Sequence, residues 1–321
     1  MKKYVIKRLT FFIPMIIFVS FLSFVIVAMA PGDPISFFVD PQTASQEDIA
    51  QIRVNLGLDK PIPIRYGIWI SQIVRGNFGY SLQHKKPVLA LIGERLPATL
   101  LLTITAFILT FMIGIFLGYV SAIKKDTKLD KSIMIFTFLG FSMPSFWFCL
   151  LLLFLFSYII PIFPISGWMS EFVEHENIFQ VIGDVIYHLV LPIIAMVFMS
   201  LAGLTRYQRN GVLDVLHQNF VTAATARGIE NRAIRYRYLL KNSFLPMITI
   251  LGLSLPTLFG GAVIIENIFG WPGIGQLSLQ AVFSRDYPLI MGVLFISSIL
   301  TIIGNLLADV FLTVFDPRVR L

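Results

Sequence analysis

Six apolar runs, each about as long as a helix that crosses a bilayer, constrain this chain more than any single motif. The hydrocarbon core is about 30 Å thick and a helix rises about 1.5 Å per residue, so a spanning helix takes about 20 apolar residues. The runs are Leu9–Ala30, Thr99–Ile123, Ser132–Ile160, Ile186–Thr205, Leu245–Ile265 and Leu289–Phe315. Inside lipid every backbone amide must find its partner within the chain, so such runs become helices. The 321 residues are 56 % hydrophobic and 13 % charged, more apolar surface than a water-soluble domain buries. The expected fold is therefore an all-α polytopic membrane protein with six transmembrane helices. Residues 1–30 form the first helix, 31–98 a small external subdomain, 99–315 a core of five helices with a cytoplasmic loop at 218–243, and 316–321 a tail.

The first run follows Lys2, Lys3, Lys7 and Arg8 and ends in Ala28-Met29-Ala30, which has the outline of a signal-peptide cleavage site. It is longer than the usual 7–15 residues of such a peptide, and Pro31 follows the site directly, so an uncleaved helix is expected. Lysine and arginine mark cytoplasmic loops. They crowd the N-terminus, the loop of Lys124, Lys125, Lys128 and Lys131, the loop from Arg206 to Lys241, and the tail with Arg318 and Arg320. The loop from Pro161 to Val185 has none and carries Glu171, Glu174, Glu176 and Asp184 instead. Both termini are thus expected in the cytoplasm. The net charge of +7 follows from this topology, and no basic face with base-reading partners points to nucleic acid.

The segment 31–98 reads as ordered, with amphipathic helices at Ile49–Leu58 and Tyr66–Val74 and a turn at Asn77-Phe78-Gly79. A lid lying on lipid and a docking surface for an external partner both fit it.

The spans are nearly free of ionisable groups. His188 near one end of the fourth and Asp309 near the end of the sixth read as interfacial. Carriers driven by protons or sodium and voltage sensors place costly charges inside the membrane, so the chain is not expected to be one. No GxxxxGK[ST] loop is present to hold a nucleotide phosphate. Gly270–Gly275 (GWPGIG) reads as a tight external turn in which glycine supplies positive φ. Cys149 stands alone, and no Cys/His cluster suggests a metal. Gly114 and Gly118 allow close helix approach, and Pro144 and Pro256 should break or kink the third and fifth spans. By kink and polarity, Ser142, Pro144 and Ser254 are the candidates for a translocation path.

The segment Phe220–Pro246 is the unusual one. Val221, Ala224, Ile229 and Ile234 form an apolar stripe, and Arg227, Arg232, Arg235 and Arg237 populate the rest. Gly228 permits a sharp corner, and Pro246 falls in the first turn of the fifth span, where its missing N–H costs little. A helix, a glycine corner and a basic helix make a knob beneath the membrane. It either lies on anionic lipid or fits a groove of another protein.

The stretch Thr222-Ala223-Ala224-Thr225-Ala226-Arg227-Gly228 resembles the EAA loop of ABC importer permeases, in which Glu-Ala-Ala is followed after three residues by Gly. Thr222 replaces the Glu, and Pro246 lies farther from the Gly than in the general pattern. Both departures resemble the peptide/nickel branch. So do KRLTFFIP (Lys7–Pro14), APGDP (Ala30–Pro34), LGLDKPIPIRY (Leu56–Tyr66), GNFGYSL (Gly76–Leu82), ERLPATLLL (Glu94–Leu102), ENIFGWPGIG (Glu266–Gly275), RDYP (Arg285–Pro288) and DPRVR (Asp316–Arg320). The resemblance covers nearly the whole chain.

It implies a permease subunit of a dipeptide or oligopeptide importer, with a nickel or metal-chelator importer as the alternative. A sensor anchored by its spans is a weaker third reading, disfavoured by the lack of a soluble signalling domain. The implied partners are a homologous second permease, two cytosolic ATPase subunits, an external solute-binding protein and membrane lipid. No cofactor is expected on this chain; ATP and Mg would be used by the ATPases, so the chain itself would not be an enzyme. The loop between helices four and five becomes a coupling helix, with Ala223, Ala224 and Gly228 in the ATPase groove. Thr222 lacks the carboxylate of the general motif, and Arg227 and Arg232 are expected to supply ionic contacts instead. Pro31–Ala98 and Glu171–Glu176 are the candidate docking surfaces for the binding protein.

Overall fold

The computed structural model describes residues 2–29, 59–170, 176–234, 239–259 and 262–315. The expected helix Ile49–Leu58, residues 171–175 of the acidic loop, and Arg235, Arg237, Arg318 and Arg320 lie outside the described residues. The helices are α1 (Lys2–Met29), α2 (Ile62–Val74), α3 (Val88–Ile123), α4 (Lys128–Ser142), α5 (Ser145–Leu153), α6 (Ile178–Leu216), α7 (Asn219–Ala226), α8 (Lys241–Ser254), α9 (Val263–Ile268), α10 (Ile274–Phe283) and α11 (Tyr287–Phe315). Five stretches are long and apolar enough to cross a membrane, and six if the bent pair α4 and α5 is one span. Among the described residues there is no strand, only an isolated bridge between Tyr80 and Pro87. The chain is an all-α polytopic membrane protein.

The helices form two compact units. The first comprises residues 1–97 and 273–302. In it α2 packs on α1 through aromatic edges: Tyr66 meets Phe21 and Phe24 edge-on, with centroids at 5.1 and 5.7 Å. The Tyr66 hydroxyl lies 2.8 Å from Ser20 Oγ. Trp69 continues the row to Phe295 of α11 at 5.6 Å. Aromatic pairs in these geometries add about 0.5–1.5 kcal/mol each beyond burial. The expected turn at Asn77–Gly79 is present: Gly79 N–H donates to Asn77 Oδ1 at 3.0 Å, and Gly79 has φ +78°. Asp286, fully buried, clamps the next turn. Its Oδ2 accepts from Ser81 Oγ and from Gln83 N–H, and its Oδ1 accepts from Leu289 N–H at 3.2 Å, so it also caps α11. Beneath it Val88, Leu91 and Ile92 pack on Leu277, Ala281 and Leu289.

The second unit comprises residues 98–272 and 303–321. Its axis is α6, a helix of 39 residues. Two neighbours approach it on glycine. An ideal Cβ at Gly118 of α3 would stand 2.6 Å from Thr205 O, and one at Gly140 of α4 would overlap Phe198 O. In a bilayer no hydrophobic force drives helices together, so such close van der Waals contact is what holds them. Phe116, Phe138 and Leu150 are exposed, as lipid-facing side chains should be.

Both expected proline breaks occur. At Met143-Pro144 the chain turns by 103° between α4 and α5; proline disfavours the α conformation in the residue before it, and Met143 is extended, with ψ 136°. At Pro256 α8 gives way to a 3₁₀ turn, Leu255–Phe259. The fifth span accordingly ends at Phe259, and Ile265 belongs to the separate α9 rather than to that span. Two other expectations are corrected. α8 starts at Lys241, earlier than expected, so Pro246 sits inside the helix and not in its first turn. The GWPGIG segment is a turn only at its start. Gly270 has φ +61°, but Ile274 opens α10, and Gly273 and Gly275 have ordinary backbone.

Candidate functional site

The segment singled out in the sequence folds as a short helix seated on the ends of two long ones. α7 runs from Asn219 to Ala226, and Gly228 adopts φ +72°, a left-handed conformation that a side chain disfavours. Ile229 N–H donates to Ala224 O at 3.2 Å and Gly228 N–H to Thr225 O at 3.0 Å, the paired bonds of a Schellman stop. The stop folds Ile229 back against Val221, Ala224, Ile234 and Leu239. This cluster rests on Ile123 at the end of α3 and on Val215 and Leu216 at the end of α6. Burying each of the larger side chains contributes about 1.5–3 kcal/mol, enough to hold the short helix in one orientation. The apolar stripe read from sequence is this seat.

The candidate residues divide accordingly. Thr222, Ala223, Arg227, Gly228 and Arg232 are exposed. Ala224 is not: at 4 % exposure it faces the chain's own seat, so its methyl is not offered to a groove outside. After Gly228 the described second helix is one turn, Asn231–Ala233, carrying Arg232.

A cavity of about 570 Å³ opens between α3, α6 and α8. Phe107, Phe111, Met196, Leu204, Ile250 and Leu258 supply its apolar wall. Thr103, Thr110, Ser200, Tyr207, Ser254 and Thr257 supply hydroxyls, and among the described residues no carboxylate, amine, guanidinium or imidazole lines it. The 3₁₀ turn after α8 shapes one side. Thr103 Oγ1 lies 2.9 Å from Leu258 O, and Thr257 Oγ1 donates to Ser254 O at 2.6 Å, so hydroxyls meet carbonyls that the broken helix leaves behind. The bend lies close against α11, where a Cβ at Gly304 would stand 2.7 Å from Pro256 Cα. Of the three residues expected along a path, Ser254 lines this cavity. Ser142 and Pro144 do not: both are exposed at the bend between α4 and α5, and Ser142 Oγ donates to Phe138 O.

Two polar clusters escaped the sequence reading. The first lies just above the α7 seat. Asp130, 3 % exposed at the start of α4, accepts from Arg209 Nε at 2.9 Å and Arg209 Nη2 at 2.8 Å, a two-pronged ion pair. Ser121 Oγ of α3 donates to the same carboxylate, and Asp126 N–H does so at 2.9 Å. Asp126 has φ +65°, and that strained turn aims its amide at Asp130. The second cluster is in the core of the unit. Thr99 Oγ1 donates to the fully buried Glu266 at 2.9 Å, and Trp271 Nε1 donates to Ala98 O at 2.8 Å. Gly270 is required between them by its φ and by its fit against Ser166, 3.0 Å from an ideal Cβ. In sequence Asp130 is one of two acids, with Asp126, among four lysines, and Glu266 falls one residue beyond the expected fifth span.

A multi-span chain with a capped, externally bare helix hung on the ends of its longest spans is the frame within which the comparisons are decisive. Residues 114–321 match the binding-protein-dependent transport system inner membrane component family, and residues 1–103 match the N-terminal part described for the same membrane components. The chain belongs to this family of transport permeases. It is similar to the oligopeptide transport system permease protein AppB of Bacillus subtilis, 41 % identical over 321 residues and the full length of both. It is also similar to a putative peptide permease protein of Brucella suis, 35 % identical over 322 residues, covering 100 % of this chain and 99 % of that one. A probable peptide ABC transporter permease protein of Sinorhizobium fredii is 33 % identical over 317 residues, 99 % of each. The permease is thus an integral membrane part of a transport system that depends on a binding protein.

Proposed function

We propose that this permease forms, with a homologous second permease, the membrane channel of an ATP-driven importer of di- or oligopeptides. The observation that carries the substrate class is the full-length similarity to relatives named for peptides, at 41 % identity for one. The cavity suits that cargo. Hydroxyls among aromatic and aliphatic groups can accept a peptide backbone without binding it tightly, and no fixed charge rejects either sign of side chain. Nickel or a chelated metal is the alternative cargo. The N- and C-termini and α7 face the cytoplasm, a reading supported by the lysines and arginines at those ends.

In this reading α7 is the contact with the ATPases. Thr222, Ala223, Arg227, Gly228 and Arg232 form its outer surface, and Ala224 fixes it to the permease. ATP and Mg bind to the two ATPase subunits, not to this chain. Closure of the ATPases draws the two coupling helices together and opens the cavity toward the binding protein, and hydrolysis resets it. The binding protein gates the cycle by having different affinities for the two states. The test is uptake of a radiolabelled peptide mixture by cells with and without the chain, with nickel in parallel. Loss of peptide uptake alone supports the proposal. Loss of nickel uptake alone replaces the cargo and keeps the architecture.

A further inference from the structure

We infer that the Asp130–Arg209 pair is a strut that makes α4 follow the coupling-helix seat, so that ATP hydrolysis is converted into movement of the broken span. The inference rests on the reading of α7 as the ATPase contact. The two residues are positioning residues; neither touches cargo or nucleotide.

The argument is one of place and geometry. Arg209 lies on α6 six residues before Val215, about 9 Å along the helix from the seat. It lies two residues past Tyr207, which lines the cavity. Ser121 lies two residues before Ile123, the other support of the seat. One carboxylate therefore collects donors from α3, α6 and the turn before α4, all at one level between seat and cavity. Displacement of α7 moves the ends of α3 and α6, and this level is where α4 is tied to both. α4 in turn leads into the 103° bend at Pro144.

Stability alone is a poor reason for such a pair. A buried ion pair is often matched or bettered by apolar side chains of similar volume. What a guanidinium–carboxylate fork adds is direction: two parallel bonds fix the angle between the groups, which a single ammonium or an apolar contact leaves free. The strained backbone at Asp126 supports the same reading, since left-handed φ at a non-glycine residue persists where the surroundings enforce it.

The experiment uses the complete transporter, with its second permease, ATPases and binding protein, reconstituted in vesicles. Three forms of this chain are compared: wild type, Arg209→Lys, and the apolar pair Asp130→Leu/Arg209→Met. The readouts are assembled complex recovered, ATPase rate with and without loaded binding protein, and peptide transported per ATP hydrolysed. Both variants are expected to assemble and to hydrolyse ATP. Transport per ATP is expected to fall at least about tenfold, the factor to which loss of one charge-assisted hydrogen bond corresponds. If either variant transports at the wild-type ratio, or if transport and ATPase fall together in proportion to assembled complex, the pair is only structural and the inference is overturned. The cargo is judged separately. A wild-type complex whose ATPase responds to the binding protein but which moves no peptide overturns the peptide reading, and the strut is then judged by the stimulation ratio.

Discussion

Glycine-to-alanine substitution at three positions in α3 and α6, two at their contact and one away from it, provides a graded test of how the second unit is held together. The same methyl group is added each time, but the structure gives it three different neighbours. At Gly118 the new Cβ would stand 2.6 Å from Thr205 O and 2.7 Å from Gln208 Cβ, where ordinary contact begins at 3.4 Å. Thr205 O is backbone of α6 and cannot rotate away, so the helices must part. Overpacking of this kind costs about 1–3 kcal/mol. At Gly114, one turn earlier, the nearest atom is Leu204 Cδ2 at 2.8 Å, the far end of a flexible side chain. A rotamer change moves Cδ2 aside but leaves Leu204 Cβ at 3.2 Å, a smaller overlap than the backbone contact at Gly118, and the expected cost is about 1 kcal/mol. At Gly203, inside α6, nothing lies within 4 Å. Alanine there removes the helix penalty of glycine, about 0.5–1 kcal/mol in water. The gain is smaller in a bilayer, where the helix persists even when its neighbours separate.

The expected order of stability is Gly203→Ala at or above wild type, then Gly114→Ala, then Gly118→Ala. Thermal denaturation of the purified complex in mild detergent reads this order as the order of melting midpoints. Gly118→Ala melting with wild type would refute the close packing of α3 on α6. Gly203→Ala melting with Gly118→Ala would refute the claim that overlap, rather than loss of glycine as such, sets the cost.

Charge reversal at Arg232 is expected to lower ATPase stimulation by loaded binding protein while leaving the complex assembled; unchanged stimulation removes Arg232 from the proposed contact. Asp286→Ala orphans the buried donors of Ser81 and Leu289 and should destabilise the first unit by about 1–3 kcal/mol, with faster proteolysis at the 79–87 turn as the readout. Trp271→Phe leaves Ala98 O without its side-chain donor and is expected to cost about 1 kcal/mol in the same melting assay; an unshifted midpoint would show that the bond is not needed there.

What could be read from sequence was local. Proline removes a helix N–H and crowds the preceding turn, and at Met143-Pro144 it also holds the residue before it in an extended conformation, so both breaks were foreseeable. The stripe Val221, Ala224, Ile229, Ile234 was visible because a seat imprints its period on the helix that uses it. The same stripe contained the answer for Ala224, whose place among the apolar residues puts it on the inner face. α10 was missed because ten residues are too few for a span, and Gly273 and Gly275 suggested a loop. The Asp130–Arg209 pair was beyond reach for another reason. Its members are separated by 79 residues, and their meeting depends on which faces α4 and α6 turn to each other. That choice is made by Gly140 against Phe198 O, a contact that sequence records only as one more glycine.

The placement of seat, strut and cavity along α6 bears on how a push could travel. Leu216 and Val215 carry α7, Arg209 holds α4, and Tyr207, Leu204, Ser200 and Met196 line the cavity. From Leu216 to Met196 is about 30 Å at 1.5 Å per residue, the thickness of the hydrocarbon core. Pro192 is the proline inside α6, and it lies beyond this stretch, so no proline interrupts the helix between seat and cavity. An unbroken helix moves as a rod, whereas α4–α5 and α8 are interrupted within their spans, at Pro144 and Pro256. In the proposed cycle a displacement delivered at the α7 seat would be carried along α6 to the cavity. The interrupted spans are where it can be converted into a change of shape. The ion pair at Asp130 joins the rod to one of those spans, which is why its loss should separate hydrolysis from transport rather than abolish hydrolysis.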